Sequence, residues 1–298
     1  MAETLVPNED GVLVPESTLP ASETERVLAL AANGGGSGLG MSHYSQASRC
    51  GRKARLAAER NAHFAALDSS SLPSTKNHFV IGSVMHKLHE LARTKHDHVL
   101  DYSEQFANLN VAEGVRLYKG WLRHHGLGFY GKTIAVEEHI TDEETFAPAT
   151  VTAAIDMVVD IDADACERLR AWGLDLEPGL YAVDWKSADG PSDGQQFKNG
   201  LQALWYPYAW NKANPSRPVL GIIFDVTFKR SRRKDRTVLR DDFQKFYVPY
   251  GLEDVETLRG MIAQGYRNAM EDVPNRSECC SWRGEVCTFR INGACDAL

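Results

Sequence analysis

The sequence contains no uninterrupted run of about eighteen apolar residues, which is the length that a transmembrane helix needs. Its first residues also lack the basic segment and the following apolar stretch that together mark a secretory signal peptide. We therefore expect no membrane span and no membrane partner. Both absences favour a cytoplasmic location.

The chain also lacks internal repeats and the G-x-x-x-x-G-K-[ST] loop that cradles ATP phosphates. A repeat fold and an ATP-driven motor are therefore excluded. A net charge of −7 argues against a protein that simply coats nucleic acid. The 298 residues have an ordinary globular composition, and a chain of this length can bury a substantial core.

Composition divides the chain near residue 40. The first 40 residues contain three prolines, several acids and the run Gly34-Gly35-Gly36-Ser37-Gly38, which predicts a disordered tail because such a segment buries little surface. The rest, 41–298, is predicted to form one domain. It consists of a helical region over 41–130, a core over 131–250, and a C-terminal helix with a cysteine-rich end over 251–298.

Hydrophobic spacing predicts the elements of this domain. Apolar residues three or four positions apart predict helices, and alternation predicts strands. We expect helices over 21–32, 45–66, 78–95, 104–125, 197–212 and 252–272, strands over 132–140, 150–162 and 180–187, and a hairpin of 219–229 with 237–249. Helices followed by a small sheet, another helix and a hairpin predict an α/β fold.

Asp184 and Lys186 are the central chemical signal of the sequence. They lie two residues apart in a predicted strand, so their side chains share one face of it, while the residues between them belong to an apolar face. An acid and a lysine on one face of a core strand suit a site in which the acid binds a metal ion. The lysine would then steady an attacking water or the developing phosphate charge.

A second acid, Asp156, lies on the preceding predicted strand. Every second residue of that strand is apolar, which places Asp156 on the opposite face from Val151, Ala153, Ile155, Met157, Val159 and Ile161. An acid among apolar neighbours is costly to bury unless it is paired or binds metal. Asp156 and Asp184 could share one Mg²⁺. Glu137 and Glu138 are either a further acid near this site or a solvated strand end.

Two predicted helices offer further polar groups. His86 ends the segment Gly82-Ser83-Val84-Met85-His86, and Gln202 and Tyr206 are four residues apart, so they share a helix face. Each of these residues alone is more often structural, and an isolated D-x-K triplet is common. Their order along the chain is the informative feature.

That order resembles the RecB-type branch of the P-D-(D/E)-x-K nuclease superfamily. The matching motifs are Gly82 to His86, Ile155-Asp156, Asp184-Trp185-Lys186, and Gln202 to Tyr206, within residues 41–298. Ala153-Ala154 departs from the family, whose members often carry glycine and a basic residue there, but neither position binds metal. The resemblance implies a restriction-endonuclease-like core, with a small mixed central sheet flanked by helices, an N-terminal helical region and a cluster-bound C-terminal tail.

The same resemblance implies metal-dependent hydrolysis of DNA phosphodiester bonds. Mg²⁺ or Mn²⁺ would be held by His86, Asp156, Asp184 and the carbonyl of Trp185. Lys186 would orient or deprotonate the attacking water. Gln202 and Tyr206 would position these groups or touch the DNA backbone.

Four of the six cysteines lie in the last twenty residues, a distribution that favours a metal or cluster site over disulfides in a cytoplasmic protein. Cys280, Cys287 and Cys295 are separated by six and seven residues, and Cys279 adjoins Cys280. Cys50 is a candidate fourth ligand. A thiolate zinc site and unligated thiols are the alternatives, although the C-x2-C pairs usual in zinc sites are absent.

Iron–sulfur members of the RecB-type branch, which include the AddB nuclease domain and the CRISPR-associated adaptation exonucleases, place one cysteine before the nuclease motifs and three after them. This layout implies a [4Fe–4S] cluster bound by Cys50, Cys280, Cys287 and Cys295, with Cys279 as the alternate to Cys280. Such a cluster would tie the ends of the domain together, since its binding energy becomes folding energy. Zn²⁺ is the alternative occupant.

Two basic segments are candidates for DNA contact. Six of eight residues from 229 to 236 are basic, at a predicted hairpin tip that is either a solvated turn or a phosphate-binding finger made of Lys229, Arg230, Arg232, Arg233 and Lys234. Arg49 and Arg52, on the helix predicted over 45–66, could line an entry channel. The aromatic residues Trp205, Tyr208 and Trp210 either stack on bases or, as their helical spacing favours, belong to the core.

The leading hypothesis is an exonuclease that acts on DNA ends in recombination, repair or processing, in the host cytoplasm if a phage encodes it. Its partner is DNA with free ends or single-stranded character, and a recombinase or single-strand annealing protein is a candidate second partner. The alternatives are a structure-specific or restriction-like endonuclease and a non-catalytic DNA-binding subunit with a nuclease fold. Oligomeric state is not predicted.

Overall fold

The computed structural model describes residues 5–7, 13–15, 77–94, 109–147, 151–191, 193–229, 237–251, 253–270, 281–282 and 285–286. The helices in these ranges are α1 (Asn77–Thr94), α2 (Leu109–His125), α3 (Ala163–Arg170), α4 (Gln195–Lys198), α5 (Leu201–Ala213) and α6 (Glu253–Met270). The strands are β1 (Leu5–Pro7), β2 (Leu13–Pro15), β3 (Lys132–Asp142), β4 (Val151–Ile161), β5 (Gly179–Ala188), β6 (Val219–Phe228), β7 (Phe243–Pro249), β8 (Ser281–Trp282) and β9 (Glu285–Val286).

Most predicted elements of the domain are present within a few residues of their expected ends. The helix expected over 197–212 is divided into α4 and α5, because Gly200 takes an extended backbone with φ −78° and ψ 143°. Helix α3 was not predicted; its N-terminus is capped by Asp162, which accepts a 2.8 Å hydrogen bond from the Ala165 N–H. The helices expected over 21–32 and 45–66 lie outside the described residues.

The central sheet has five strands in the order β3-β4-β5-β6-β7. Strands β5 and β6 run parallel, and the other neighbouring pairs run antiparallel. The parallel pair is connected through α4 and α5, as a crossover between parallel strands requires. The predicted fold class, an α/β fold with a small mixed sheet flanked by helices, is confirmed.

Each face of the sheet carries its own hydrophobic core. One core joins the sheet to α1, α2 and α3 and includes Tyr181, Val183 and Trp185 from alternate positions of β5. The other joins the sheet to α5 and α6 and includes Ala182, Phe224 and Val226. The predicted apolar face of β5 is therefore confirmed, and its polar face lies on the side of α5.

Strand β4 departs from the prediction that its apolar residues share one face. The first three pack in the α5 core and the last three in the α1 core: Val151, Ala153 and Ile155 against Met157, Val159 and Ile161. The change of side occurs at Asp156. On β3 the flanking pairs are Val136 with Met157 and Glu138 with Ile155, so Glu137 lies opposite Asp156, and its φ of 52° marks the same irregularity.

None of the helices in the described part of the chain is both long and apolar enough to cross a membrane. Helix α1 instead packs against α2 and the sheet. Its buried face contains the residues expected from the helical spacing, namely Ile81, Val84, Met85, Leu88 and Leu91.

Candidate metal centre

Three side chains meet where α1 packs against β3 and β4. His86 on α1 places Nε2 2.8 Å from Oε1 of Glu137 and 3.3 Å from Oδ2 of Asp156. One ligand atom from each of the three residues lies within 4.8 Å of the others. Asp156 is 6% exposed, whereas His86 and Glu137 are 34% and 27% exposed. Asp156 is therefore the buried member of the cluster, and His86 and Glu137 are its partly exposed members.

The contact between His86 and Glu137 is close but is not a well-formed hydrogen bond. Among the described residues, His86 Nε2 and Glu137 Oε1 are buried atoms that lack a hydrogen-bond partner of acceptable geometry, although 2.8 Å separates them. Buried polar atoms without such a partner call for a water or an ion. One imidazole nitrogen and two carboxylate oxygens are a suitable donor set for a divalent cation, so the residues fit the metal that the sequence predicts.

Asp156 is held against β5 by a backbone hydrogen bond. The Trp185 N–H donates to Oδ2 of Asp156 at 2.8 Å. The last paired positions of the antiparallel strands β4 and β5 are Met157 and Val183. The strands therefore separate at the next position, where Asp156 would otherwise pair with Asp184. The carboxylate of Asp156 thus takes the donor that a longer ladder would have used.

Asp184 and Lys186 lie on the face of β5 that is turned toward α5. Lys186 Nζ lies 2.5 Å from Oδ2 of Asp184. Gln202 on α5 donates its Nε2–H to Oδ1 of Asp184 at 3.0 Å, and the same nitrogen lies 2.7 Å from the Tyr206 hydroxyl oxygen. The i, i+4 pair on α5 therefore fixes one oxygen of Asp184, while Lys186 contacts the other.

Burial and neighbouring charges shift the ionisation of this site. Burial, together with the charge of Asp156, raises the pKa of Asp184 to about 7 despite the opposing ammonium of Lys186. Burial would also raise the pKa of Asp156, but His86, Lys186 and the Trp185 N–H outweigh it and lower that pKa. Burial opposes the charged form of His86, yet the two neighbouring carboxylates raise its pKa well above the usual value.

The structure connects all six side chains that were predicted to be catalytic. His86 contacts Asp156, the Trp185 backbone links Asp156 to β5, and the remaining contacts join Asp184, Lys186, Gln202 and Tyr206. Asp184 does not belong to the three-residue group that could share a cation. The roles of these residues, and ligation by the Trp185 carbonyl, stay predictions.

Glu137 belongs to the cluster, whereas the sequence left open whether it lies near the site or at a solvated strand end. The only signal was an acidic pair, Glu137-Glu138, on a predicted strand. The structure separates the two: Glu137 faces His86, whereas Glu138 is exposed. The positive φ of Glu137 has no signature in the sequence, because any residue other than glycine or asparagine is unexpected there.

A second polar layer behind Trp185 was not predicted. His89 is 1% exposed and stacks on the Trp185 ring, with centroids 4.3 Å apart and planes inclined by 8°. Arg93 Nη1 lies 3.2 Å from Nδ1 of His89, and its guanidinium lies over the Trp185 ring. These contacts fix the side chain of Trp185, which lies between Asp184 and Lys186 in the sequence. The sequence offered a hint, since His86, His89 and Arg93 share a helical spacing.

The other predicted binding residues are described only in part. Lys229 is the one basic residue of the 229–236 segment within the described ranges; its side chain is 9% exposed and its Nζ lies 3.4 Å from Oδ1 of Asp189. The aromatic side chains of α5, namely Trp205, Tyr208 and Trp210, are buried in the core. The remaining predicted residues lie outside the described ranges: Arg49, Arg52, Arg230, Arg232, Arg233, Lys234, Cys50, Cys279, Cys280, Cys287 and Cys295.

Comparison with known proteins finds only distant structural likenesses. No protein-family model and no curated protein matches the sequence. A protein called SSO0001 is 10% identical, with a TM-score of 0.45 over 90% of this chain and 92% of that chain. A protein from Eubacterium rectale, provisionally assigned as an exonuclease, is 11% identical, with a TM-score of 0.46 over 94% and 98%. The function proposed below therefore depends on the geometry of the site.

Proposed function

We propose that this protein is a divalent-metal-dependent deoxyribonuclease, and that it acts as an exonuclease on DNA ends. One observation carries the proposal. Residues from three separate parts of the chain, His86 on α1, Asp156 on β4 and Asp184 with Lys186 on β5, are joined by contacts at the point where the two strands separate.

The side chains have distinct roles in this proposal. His86 and Asp156 hold the cation, Mg²⁺ or Mn²⁺, which when bound lowers the pKa of water and neutralises charge on the scissile phosphate. Lys186, which is 29% exposed beside a fully buried Asp184, orients the attacking water or stabilises the charge that develops on the phosphate. Gln202 and Tyr206 hold Asp184 in position. DNA as the substrate comes from the family that the motifs resemble.

We also propose that the cysteines at the two ends of the domain bind a [4Fe–4S] cluster, with Zn²⁺ as the alternative. Support comes from their layout in the sequence, since they lie outside the described residues. The cluster has no proposed part in the hydrolysis, because its role would be to tie the chain ends together.

The deciding experiment uses end-labelled linear DNA and covalently closed circular DNA, each incubated with the full-length protein and Mn²⁺ or Mg²⁺. An exonuclease degrades the linear substrate and leaves the circles intact. Asp184→Asn and Lys186→Met should each lower the rate by roughly 100-fold or more. Asp160→Asn, which changes an exposed acid on the same strand as Asp156, should leave it unchanged.

Other outcomes would replace this proposal. Cutting of circles would favour the endonuclease. Equal activity of wild type and Asp184→Asn would assign the hydrolysis to a different site. A well-folded protein that degrades neither substrate with either cation would favour the non-catalytic DNA-binding subunit.

A further inference from the structure

We propose that Glu137 is a ligand of the cation, and that the cation bound without DNA lies between His86 Nε2, Glu137 Oε1 and Asp156 Oδ2. In this arrangement Asp184 is not a ligand of the resting cation but serves the reacting phosphate and water together with Lys186. The inference rests on the proposed function for the role of the cation, and it changes the ligand set that the motifs imply.

The positions of the atoms favour this set of three ligands. Nε2 of His86 lies 2.8 Å from Glu137 and 3.3 Å from Asp156, and the three ligand atoms lie within 4.8 Å of one another. Ligands of one cation are separated by about this range, because each lies roughly 2 Å from the ion. In addition, His86 Nε2 and Glu137 Oε1 form no hydrogen bond of acceptable geometry with each other.

The sheet places Glu137 and Asp156 directly opposite each other. The pairs on either side, Val136 with Met157 and Glu138 with Ile155, leave these two acids as cross-strand neighbours. Like charges in that relation destabilise a sheet. Glu137 also has φ 52°, which is uncommon for a residue with a side chain. A cation between the two carboxylates would offset both costs.

Both oxygens of Asp184 have a close polar neighbour, although among the described residues only Oδ1 accepts a hydrogen bond of acceptable geometry. Gln202 donates to Oδ1 at 3.0 Å, and the Lys186 ammonium lies 2.5 Å from Oδ2. A cation that bound Asp184 directly would have to displace one of these partners. Glu137 has no comparable obstacle, since its contact among the described residues is with the His86 ring that would itself become a ligand.

Charge balance agrees with one divalent cation in the resting site. When all three carboxylates are ionised, Glu137, Asp156 and Asp184 contribute three negative charges, and Lys186 contributes one positive charge. A metal-bound imidazole is neutral, so two negative charges remain, which a single divalent cation neutralises. The imidazole nitrogen also favours a first-row transition ion over Mg²⁺, whose preferred ligands are oxygen atoms. Mn²⁺ is therefore the probe of choice.

The test is a titration of Mn²⁺ into the full-length, DNA-free protein, followed by electron paramagnetic resonance of the free ion and by calorimetry. Glu137→Gln should weaken Mn²⁺ binding by roughly tenfold or more. Glu138→Gln, the exposed neighbour on the same strand, is the matched control and should bind Mn²⁺ as the wild type does. Asp184→Asn should retain the wild-type affinity for Mn²⁺ without DNA.

Glu137→Gly provides a second variant in case Glu137→Gln folds poorly. Glycine accommodates a positive φ without strain, so this variant should fold and should lose Mn²⁺ to the same extent. Wild-type affinity in either Glu137 variant would overturn the inference, and so would an Asp184→Asn variant that loses Mn²⁺ as strongly as Glu137→Gln.

The experiment separates this inference from the proposed function. Loss of Mn²⁺ in the Glu137 variants of a protein that digests no DNA would support the cation site and reject the nuclease. Digestion that needs Asp184 and Lys186, combined with wild-type Mn²⁺ binding in the Glu137 variants, would support the nuclease and reject the cation site.

Discussion

Asp156 and Asp184 are neighbouring buried carboxylates whose pKa values shift in opposite directions. Burial disfavours ionisation of both, but Asp156 also contacts His86 and the Trp185 N–H, so its pKa is lowered. Burial and the charge of Asp156 raise the pKa of Asp184 to about 7. Two acids that differ in this way suit a site in which one always holds a cation and the other exchanges a proton near neutral pH.

The raised pKa of Asp184 predicts a pH-dependent gain in stability for Asp184→Asn. Because the folded pKa, about 7, lies above the ordinary value of 3.8, the contribution of Asp184 to folding is greatest below about pH 4 and is lost as the pH rises through 7. Asparagine cannot ionise, so it avoids this loss. Relative to wild type, the metal-free variant should gain on the order of 2 kcal/mol between about pH 5 and pH 8, measured by urea unfolding with chelator.

Asp142, whose pKa is shifted downward and not upward, supplies the control for this prediction. Burial would raise the pKa of Asp142, but Lys212 and the Thr145 N–H outweigh it and hold that pKa at about 2. Its stabilisation is therefore present above about pH 4 and lost only below that value, so Asp142→Asn should destabilise equally at about pH 5 and pH 8. If the difference between Asp184→Asn and wild type were the same at both values, the carboxyl of Asp184 would be ionised throughout, contrary to the prediction.

At the scale of elements, the position of α1 depends on a glycine that lies next to β5. A Cβ added to Gly82 would lie 2.8 Å from the Ser187 hydroxyl oxygen, one residue beyond Lys186. The glycine of the Gly-x-x-x-His segment therefore allows α1 to approach β5 closely. This approach brings His86 to Asp156.

We expect Gly82→Ala to impair the site without unfolding the helix. Alanine favours a helix by about 1 kcal/mol over glycine, but its methyl group would push α1 away from β5 and His86 away from Asp156. Mn²⁺ affinity and DNA digestion should fall several-fold. The double variant Gly82→Ala/Ser187→Ala, which removes the opposing hydroxyl, should recover both.

Gly260 is the matched control for the effect of helix propensity. It lies in α6, and a Cβ there would have no neighbour within 4 Å. Gly260→Ala should raise the thermal midpoint and leave Mn²⁺ affinity unchanged. If Gly82→Ala behaved in the same way, close packing of α1 on β5 would have no part in forming the site.

The elements were predictable wherever apolar residues recur at the regular spacing of a helix or strand. Alternation identified β4 and β5, and the helical spacing of Leu88 and Leu91 with their neighbours identified α1. Helix α3 was missed because half of its eight residues are charged and only Ala165, Cys166 and Leu169 are buried. Its polar sequence resembles a loop, and its helical structure depends on the Asp162 cap and on packing.

The site was predictable only as far as the motifs reach. Asp184 and Lys186 follow from strand alternation, since β5 is regular. Asp156 did not lie in a regular strand, because β4 changes sides there and its apolar residues divide between two cores. Glu137 and the stacking of His89 on Trp185 depend on strand pairing and tertiary packing, which a single sequence does not specify.

At the scale of the whole molecule, a buried ion pair connects the far strands to the helical layer. Lys245 on β7 lies 2.7 Å from Oδ1 of Asp225 on β6, and both side chains are 0% exposed. Oδ2 of Asp225 accepts hydrogen bonds of 2.8 Å from Trp121 on α2 and from the Tyr130 hydroxyl. The pair thus joins β6, β7 and α2.

Lys245→Met should lower the free energy of unfolding by about 3–5 kcal/mol, because it leaves the Asp225 charge buried without its counter-ion. Asp225→Asn combined with Lys245→Met should cost less than the sum of the single changes, since no charge then remains. Urea unfolding measures all three. Arg170→Met, which breaks two ion pairs on the surface, is the control and should have little effect. Equal losses for Lys245→Met and Arg170→Met would contradict this account.

The proposed cluster concerns the whole chain, since ligands at Cys50 and within residues 280–295 would close a loop that contains all five strands of the central sheet. Closing so long a loop restricts the unfolded chain and stabilises the folded one. We expect anaerobically purified protein to be brown and to contain iron and sulfide. Cys280→Ser should lose the colour and lower the thermal midpoint, whereas Cys166→Ser, a change at a buried thiol on α3, should keep the colour.

A change at Cys279 distinguishes the two possible sets of cluster ligands, one with Cys280 and one with Cys279. If Cys280 is the ligand, Cys279→Ser retains iron and colour; if Cys279 is the ligand, the two variants exchange behaviour. A colourless wild-type protein that contains zinc would instead establish the thiolate zinc site, and its thermal midpoint would then fall on removal of zinc by a chelator. A wild-type protein that contains neither metal would leave the thiols unligated, and the closure of the chain ends would have to be abandoned. The proposed cation site of His86, Glu137 and Asp156 would stand unchanged.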